Sequence, residues 1–224
     1  MKKPVTYLGD AFYYALMSLS ALTFIWLLIS PAKYIVGKEI IRLFQNKGEE
    51  AAIKSYDELL SEKGITRDDF RPNIIIRKKN RELAVYSNYK LIKSYHVGLG
   101  RVPIGKKQRK DDFKTPEGEY YICKKDIDHK YHLFLQINYP SPKDAEIATV
   151  KHIISTGDEI HINQAEINGD PPPADTDLGG NLGIHGYGTD DWTTDGSISM
   201  HNNDMEELYW NIKEGDNVEV LILP

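Results

Sequence analysis

One cysteine, Cys123, occurs in the 224 residues, so an intramolecular disulfide framework and any multi-cysteine zinc site are excluded. Positive charge is short as well: 28 Lys and Arg stand against 33 Asp and Glu, a formal net charge of −5. A chain with that balance does not bind nucleic acid by phosphate neutralisation, and no nucleic-acid partner is expected. The sequence contains no H-E-x-x-H, no G-x-x-x-x-G-K-[ST] and no G-x-G-x-x-G following a strand. It has no internal repeat and no low-complexity tract. With 41% hydrophobic and 27% charged residues, it is neither a disordered chain nor a polytopic membrane protein.

A single long apolar run is present, the 20 uncharged residues Ala11–Ser30. At about 1.5 Å per residue a helix of this length spans the roughly 30 Å hydrocarbon core of a bilayer. Tyr13, Tyr14, Trp26 and Tyr34 lie where interfacial aromatics sit. A buried core helix and a cleaved signal peptide are the alternatives. Pro31 follows the run and no small-x-small cleavage signal does, so one uncleaved anchor over residues 1–37 is the expectation. Lys2 and Lys3 before the span nearly balance Lys33, Lys38 and Arg42 after it, so flanking charge leaves the orientation open.

Residues 38–71 read as a helical linker, with strong helix formers from Lys38 to about Lys63, Gly64 as the C-terminal cap and Pro72 as the stop. From residue 72 to 224 the pattern is mainly β. Asn73–Lys78, Glu82–Ser87 and Leu91–Leu99 are rich in β-branched and aromatic residues, and Asn88-Tyr89 reads as a hairpin turn. Glu119–Cys123, His132–Asn138 and Glu159–Ile162 read as further short strands. Gly169–Gly188, rich in Gly, Pro and Asp, reads as a long loop. Asn203 is the expected N-cap of one prominent late helix running to about Lys213, and Asn217–Leu223 a last strand.

His129 and His132 form a short pair without a third ligand, and no metal site is expected from it. The basic run Lys106, Lys107, Arg109, Lys110 is followed directly by Asp111 and Asp112, which reads as a solvated loop. The informative segment is Gly183–Met200, GIHGYGTDDWTTDGSISM. His185 is boxed by Gly183, Gly186 and Gly188, and Ser197 follows Gly196 twelve positions later. Glycines let the backbone turn tightly and approach a substrate, so an imidazole and a hydroxyl on two such loops are candidates for a base and a nucleophile.

These residues resemble the L,D-transpeptidase (YkuD-type) catalytic domain family. Ile184-His185-Gly186 matches its histidine motif. Thr194-Asp195-Gly196-Ser197-Ile198 matches its S/T-x-G-C-I/V motif, and Asn202-Asn203-Asp204 through Tyr209 its polar residue and acidic helix. Upstream, Val102-Pro103-Ile104-Gly105-Lys106 and Lys114-Thr115-Pro116-Glu117-Gly118-Glu119-Tyr120 match P-x-G-x-K and K-T-P-E-G-x-Y, and Tyr139-Pro140 with Asp144 fits as well. The resemblance runs from about Asn73 to Leu223. It implies a β-sandwich-like catalytic fold that remodels peptidoglycan, with stem peptides as partners and no cofactor. It carries Ser197 and His185 to the catalytic positions. Gly196, Ile198 and Gly186 take the oxyanion and loop positions, and Tyr187, Thr194, Asp195, Ser199 and Lys106 the substrate-binding ones.

The departure falls on the nucleophile. Where the family has cysteine this chain has Ser197; a histidine often found two positions earlier is Asp195, and an arginine two positions later is Ser199. A thiol is a few per cent thiolate at neutral pH, whereas a hydroxyl must lose its proton to a base as it attacks. Two functions remain open. One is an acyl transferase acting on tetrapeptide stems through a Ser197/His185 pair, transferring to an amine or to water. The other is a catalytically inactive domain that binds peptidoglycan or a partner protein. A peptidoglycan substrate requires the C-terminal domain to lie on the extracytoplasmic side of the cytoplasmic membrane.

Overall fold

The computed structural model describes residues 54–102, 104–188, 192–213, 215 and 218–224. The chain divides into two compact units, the second of which is Ser55–Pro224. The expected anchor Ala11–Ser30 lies outside the described residues, as does the first part of the expected linker helix. Among the described residues no helix is long and apolar enough to cross a membrane.

Helix α1 (Tyr56–Glu62) is closed at both ends by its own sequence. Ser55 Oγ accepts the Glu58 N–H at 3.3 Å, and Glu58 Oε2 accepts the Ser55 N–H at 2.7 Å, a reciprocal cap. At the other end Gly64, at φ +65°, gives its N–H to Ser61 O, and Ile65 gives its own to Leu60 O. The inward face of α1, Tyr56 and Leu60, joins Ile65 and Phe70 in the main core with the sheet. Much of the segment read as a linker is therefore structural support.

Among the described residues the main sheet has eight strands in the order β3-β2-β1-β10-β5-β6-β7-β9, with β7 at Gly183–His185 and β9 at Ile198–Ser199. The first three, β1 (Asn73–Arg77), β2 (Glu82–Ser87) and β3 (Lys90–His96), form an antiparallel meander. Asn88 and Tyr89 turn the β2–β3 hairpin with φ of +50° and +61°, the positive angles that a primed turn needs. β10 (Glu219–Leu223) returns to pair with β1 in parallel, and alternation sends Ile74, Ile76, Val220 and Ile222 into the core. The long strand β5 (Gly118–His129) pairs with β10 through its first residues and with β6 (His132–Ile137) through the rest. Short strands β4 (Leu99–Gly100) and β8 (Trp192–Thr194) form a separate parallel pair.

Several sequence expectations change here. Glu159–Ile162 is not a strand: it lies within helix α3 (Thr156–Asn168), which follows α2 (Pro142–Val150). Both helices start at a serine with an aspartate three residues on, Ser141/Asp144 and Ser155/Asp158, each pair exchanging side-chain and backbone hydrogen bonds. Only Ile162 of α3 is fully buried, against Ala145, Ala148, Ile154 and Leu178, so the helix shows little apolar periodicity. The late helix α4 (Asn202–Asn211) has His201 rather than Asn203 at its N-cap position, without a side-chain cap hydrogen bond, and stops short of Lys213. The domain thus carries three helices after its first strands, not one. The last strand begins at Glu219 among the described residues.

Candidate active site

Strand β7 (Gly183–His185), inside the segment expected to be a loop, is the backbone of the site. It pairs antiparallel with β6 and parallel with β9 (Ile198–Ser199), setting Phe134 opposite His185, Ile184 opposite Ile198 and His185 opposite Ser199. With alternate side chains on opposite faces, Ile184 and Ile198 enter the core. His185, Ser197 and Ser199 instead line a cavity of about 450 Å³. Gly183 has no room for a side chain, since a Cβ there would lie 2.2 Å from Leu135 O.

The His185 ring is buried, 6% exposed, and its Nδ1 lies 2.7 Å from Gly186 O. A carbonyl only accepts, so Nδ1 carries the proton and Nε2 of the neutral ring presents a lone pair. Tyr131 stacks against the ring at 4.9 Å between centroids. Burial pushes the imidazole below its ordinary pKa; the Gly186 carbonyl opposes this, and His129 and Lys130 add to it. The ring is therefore neutral near pH 7 and competent as a base.

Ser197 Oγ accepts the Gly183 N–H at 3.3 Å and makes no hydrogen bond to His185. The two groups share the cavity, each held by backbone. Thr194 braces the serine turn, donating from Oγ1 to Ser197 O at 2.6 Å and accepting the Gly196 N–H at 3.2 Å. Ser199 Oγ is buried and has no partner. Asp195 pairs with Arg101 at the exposed mouth, and the Arg101 guanidinium lies 4.0 Å over the Phe113 ring. Tyr187 is 71% exposed at the rim.

Not every sequence candidate comes to the cavity. Lys106 does not line it and instead pairs with Asp144 at 2.7 Å. Its neighbour Lys107 is buried and pairs with Asp112 at 2.8 Å. Asp112 also accepts the Gln108, Arg109 and Lys114 N–H groups, so the basic run is an organised loop that buries Lys107 and leaves Arg109 and Lys110 exposed. Ile198 serves the core, and Gly186 and Gly196 contribute backbone only.

The residues that sequence reasoning missed come from the β5–β6 hairpin, His129, Lys130, Tyr131 and Phe134, and from residues 180–182 leading into β7. His129 stacks on Phe134 at 4.3 Å and accepts the Tyr131 N–H on Nδ1 at 3.3 Å. His132 turns away to Glu206, 2.8 Å from Nε2. The His129/His132 spacing was visible in the sequence, but only the β6–β7 register carries His129 to His185. Cys123 lies outside the cavity, its thiol pushed up to about 12 by burial.

The putative L,D-transpeptidase YafK of Escherichia coli K12 is 32% identical over 96 residues, 40% of this chain and 39% of that protein. The chain thus aligns with well under half of that relative's length. The helical cell shape determining protein Pgp2 of Campylobacter jejuni aligns over 75% of this chain and 55% of its own, at 22% identity and a TM-score of 0.45. Bd1075 of Bdellovibrio bacteriovorus aligns over 70% and 49%, at 21% identity and a TM-score of 0.44. Residues 71–220 match the sequence profile of the L,D-transpeptidase catalytic domain, YkuD, and on that match the chain belongs to the L,D-transpeptidase catalytic domain family.

Proposed function

We propose that the domain is a peptidoglycan acyl transferase that works through a serine. What carries this reading is the shared cavity: His185, with Nε2 free to accept, and Ser197 both line it. In the first step Ser197 Oγ bonds to the carbonyl carbon of the third residue of a tetrapeptide stem, and its proton passes to His185 Nε2. The C–N bond to the terminal D-alanine then breaks, and the departing amine takes the proton from His185. An acceptor amine or water next loses a proton to Nε2 and attacks the ester; the C–Oγ bond breaks and the Nε2 proton passes to Ser197 Oγ. The Ser197 backbone N–H takes the oxyanion role, the Gly196 N–H being held by Thr194 Oγ1. The N-terminal run Ala11–Ser30 anchors the chain in the cytoplasmic membrane, with the domain on the outer side.

A specific observation favours a second reading. Ser197 Oγ takes the Gly183 N–H rather than His185, and serine stands at the family's cysteine position. A scaffold built for a thiolate and left with an alcohol would bind stems without cleaving them. The test incubates the full chain with tetrapeptide muropeptides and measures D-alanine release and cross-linked dimers. The wild type is expected to turn over, and Ser197→Ala to lose on the order of 10³-fold or more in kcat. If Ser197→Cys alone turned over, the second reading would stand.

A further inference from the structure

The Gly186–Tyr187 peptide holds His185 in place from one side. Its carbonyl accepts the His185 Nδ1–H at 2.7 Å, and its N–H donates to Asn202 Oδ1 at 2.8 Å. An amide is planar, so a grip on the N–H also fixes the direction of the C=O. The neighbouring Gly186 N–H is held by Tyr131 O at 3.1 Å. The packing is close: a Cβ on Gly186 would lie 2.5 Å from Asn202 Oδ1 and 3.2 Å from Tyr131 O. Tyr187 sits at φ +76°, a left-handed conformation that tyrosine keeps only where its surroundings impose it. Asn202 is the first residue of α4, which is rooted in the core by Met205 and Leu208.

We propose that Asn202 is a positioning residue: acting through one peptide plane, its carboxamide oxygen sets the tautomer of His185 and aims the Nε2 lone pair into the cavity. Without the grip on Tyr187 N–H, the Gly186 carbonyl is free to turn from Nδ1, and the ring then takes its proton on either nitrogen. A base protonated on Nε2 accepts nothing from Ser197. The role of His185 as base rests on the function proposed above, but its tautomer does not.

The full chain, purified in mild detergent and labelled with ¹⁵N-histidine, is read by long-range ¹H–¹⁵N correlation, with His185→Gln assigning the signal. Wild type and Asn202→Asp, which keeps an acceptor oxygen, are expected to show His185 protonated on Nδ1 alone. Asn202→Ala is expected to show both tautomers; should it fail to fold, Asn202→Ser is read in its place. A folded Asn202→Ala or Asn202→Ser chain that keeps the pure Nδ1–H form overturns the proposal, even if its melting temperature drops. In muropeptide turnover, Asn202→Ala is expected to lose about a hundredfold in kcat with KM retained, and Asn202→Asp to recover it. A chain that turns over nothing overturns the acyl-transferase reading, and the tautomer result then still decides the role of Asn202.

Discussion

Replacing Gly183 with alanine tests whether β7 is as tightly wedged as the structure shows. The new Cβ would lie 2.2 Å from Leu135 O and 2.6 and 2.8 Å from Phe134 ring atoms, where ordinary contact begins near 3.4 Å. The Phe134 ring can tilt, but Leu135 O belongs to the β6 backbone, so β7 itself must move by about an ångström. That shift strains the ladders on both sides and carries Gly183 N–H away from Ser197 Oγ. Overpacking of this size costs about 1–3 kcal/mol. For a domain of this size that is a fall in melting temperature of roughly 2–12 °C. Urea unfolding of the full chain, followed by tryptophan fluorescence, should show a lower midpoint at constant slope. Gly157→Ala is the counter-case in the same assay. There a Cβ meets only Ser155 Oγ at 3.5 Å within α3, so alanine should stabilise by about 0.5–1 kcal/mol. If Gly183→Ala unfolds at the wild-type midpoint, the close approach of β7 to β6 is wrong, and the placement of His185 with it.

Lys78 is 3% exposed and donates to Gly105 O at 2.9 Å, Thr115 O at 3.1 Å and Glu117 Oε1 at 2.7 Å. Lys78→Met strands a half-buried carboxylate and two carbonyls and should cost about 3–5 kcal/mol in urea unfolding; a loss below about 1 kcal/mol would contradict the three-way grip. His185 also makes stability depend on pH. Its folded pKa lies below that of the unfolded chain, near 6.5, so between the two values the unfolded chain binds more protons and stability rises with pH. Melting temperature should therefore fall as pH drops from about 7 through about 6, less steeply in His185→Gln; equal slopes would remove burial of a neutral ring as the cause.

The meander, the closing strand and the β-hairpin at Asn88-Tyr89 were legible because strand alternation and turn chemistry are local. Glycine spacing and family motifs also singled out His185 and Ser197, which the structure sets on one cavity without a hydrogen bond between them. The helices α2 and α3 were not read, although Ser141/Asp144 and Ser155/Asp158 are visible N-terminal signals. Their buried residues are too few to produce a period, and Glu159–Ile162 taken alone has the look of a strand. Strand β7 was hidden for another reason. Three residues among Gly, Pro and Asp carry no strand signal, and β7 exists because β6 and β9 supply its hydrogen bonds.

What the sequence by itself determined was the chemistry on offer: a histidine and a serine on glycine turns, in a mainly β domain with no cysteine framework. Tertiary structure decided which groups meet. The β6–β7 register brings His129, Tyr131 and Phe134 around His185, while the ion pair with Asp144 keeps Lys106 out. It also decided which His185 nitrogen carries the proton, through the Gly186 carbonyl one residue away, on a peptide whose N–H is held by Asn202 seventeen residues further along the chain. The physical reason is range: side-chain identity and turn preference act over a few residues, whereas strand register, burial and hydrogen-bond partners depend on segments brought together by folding.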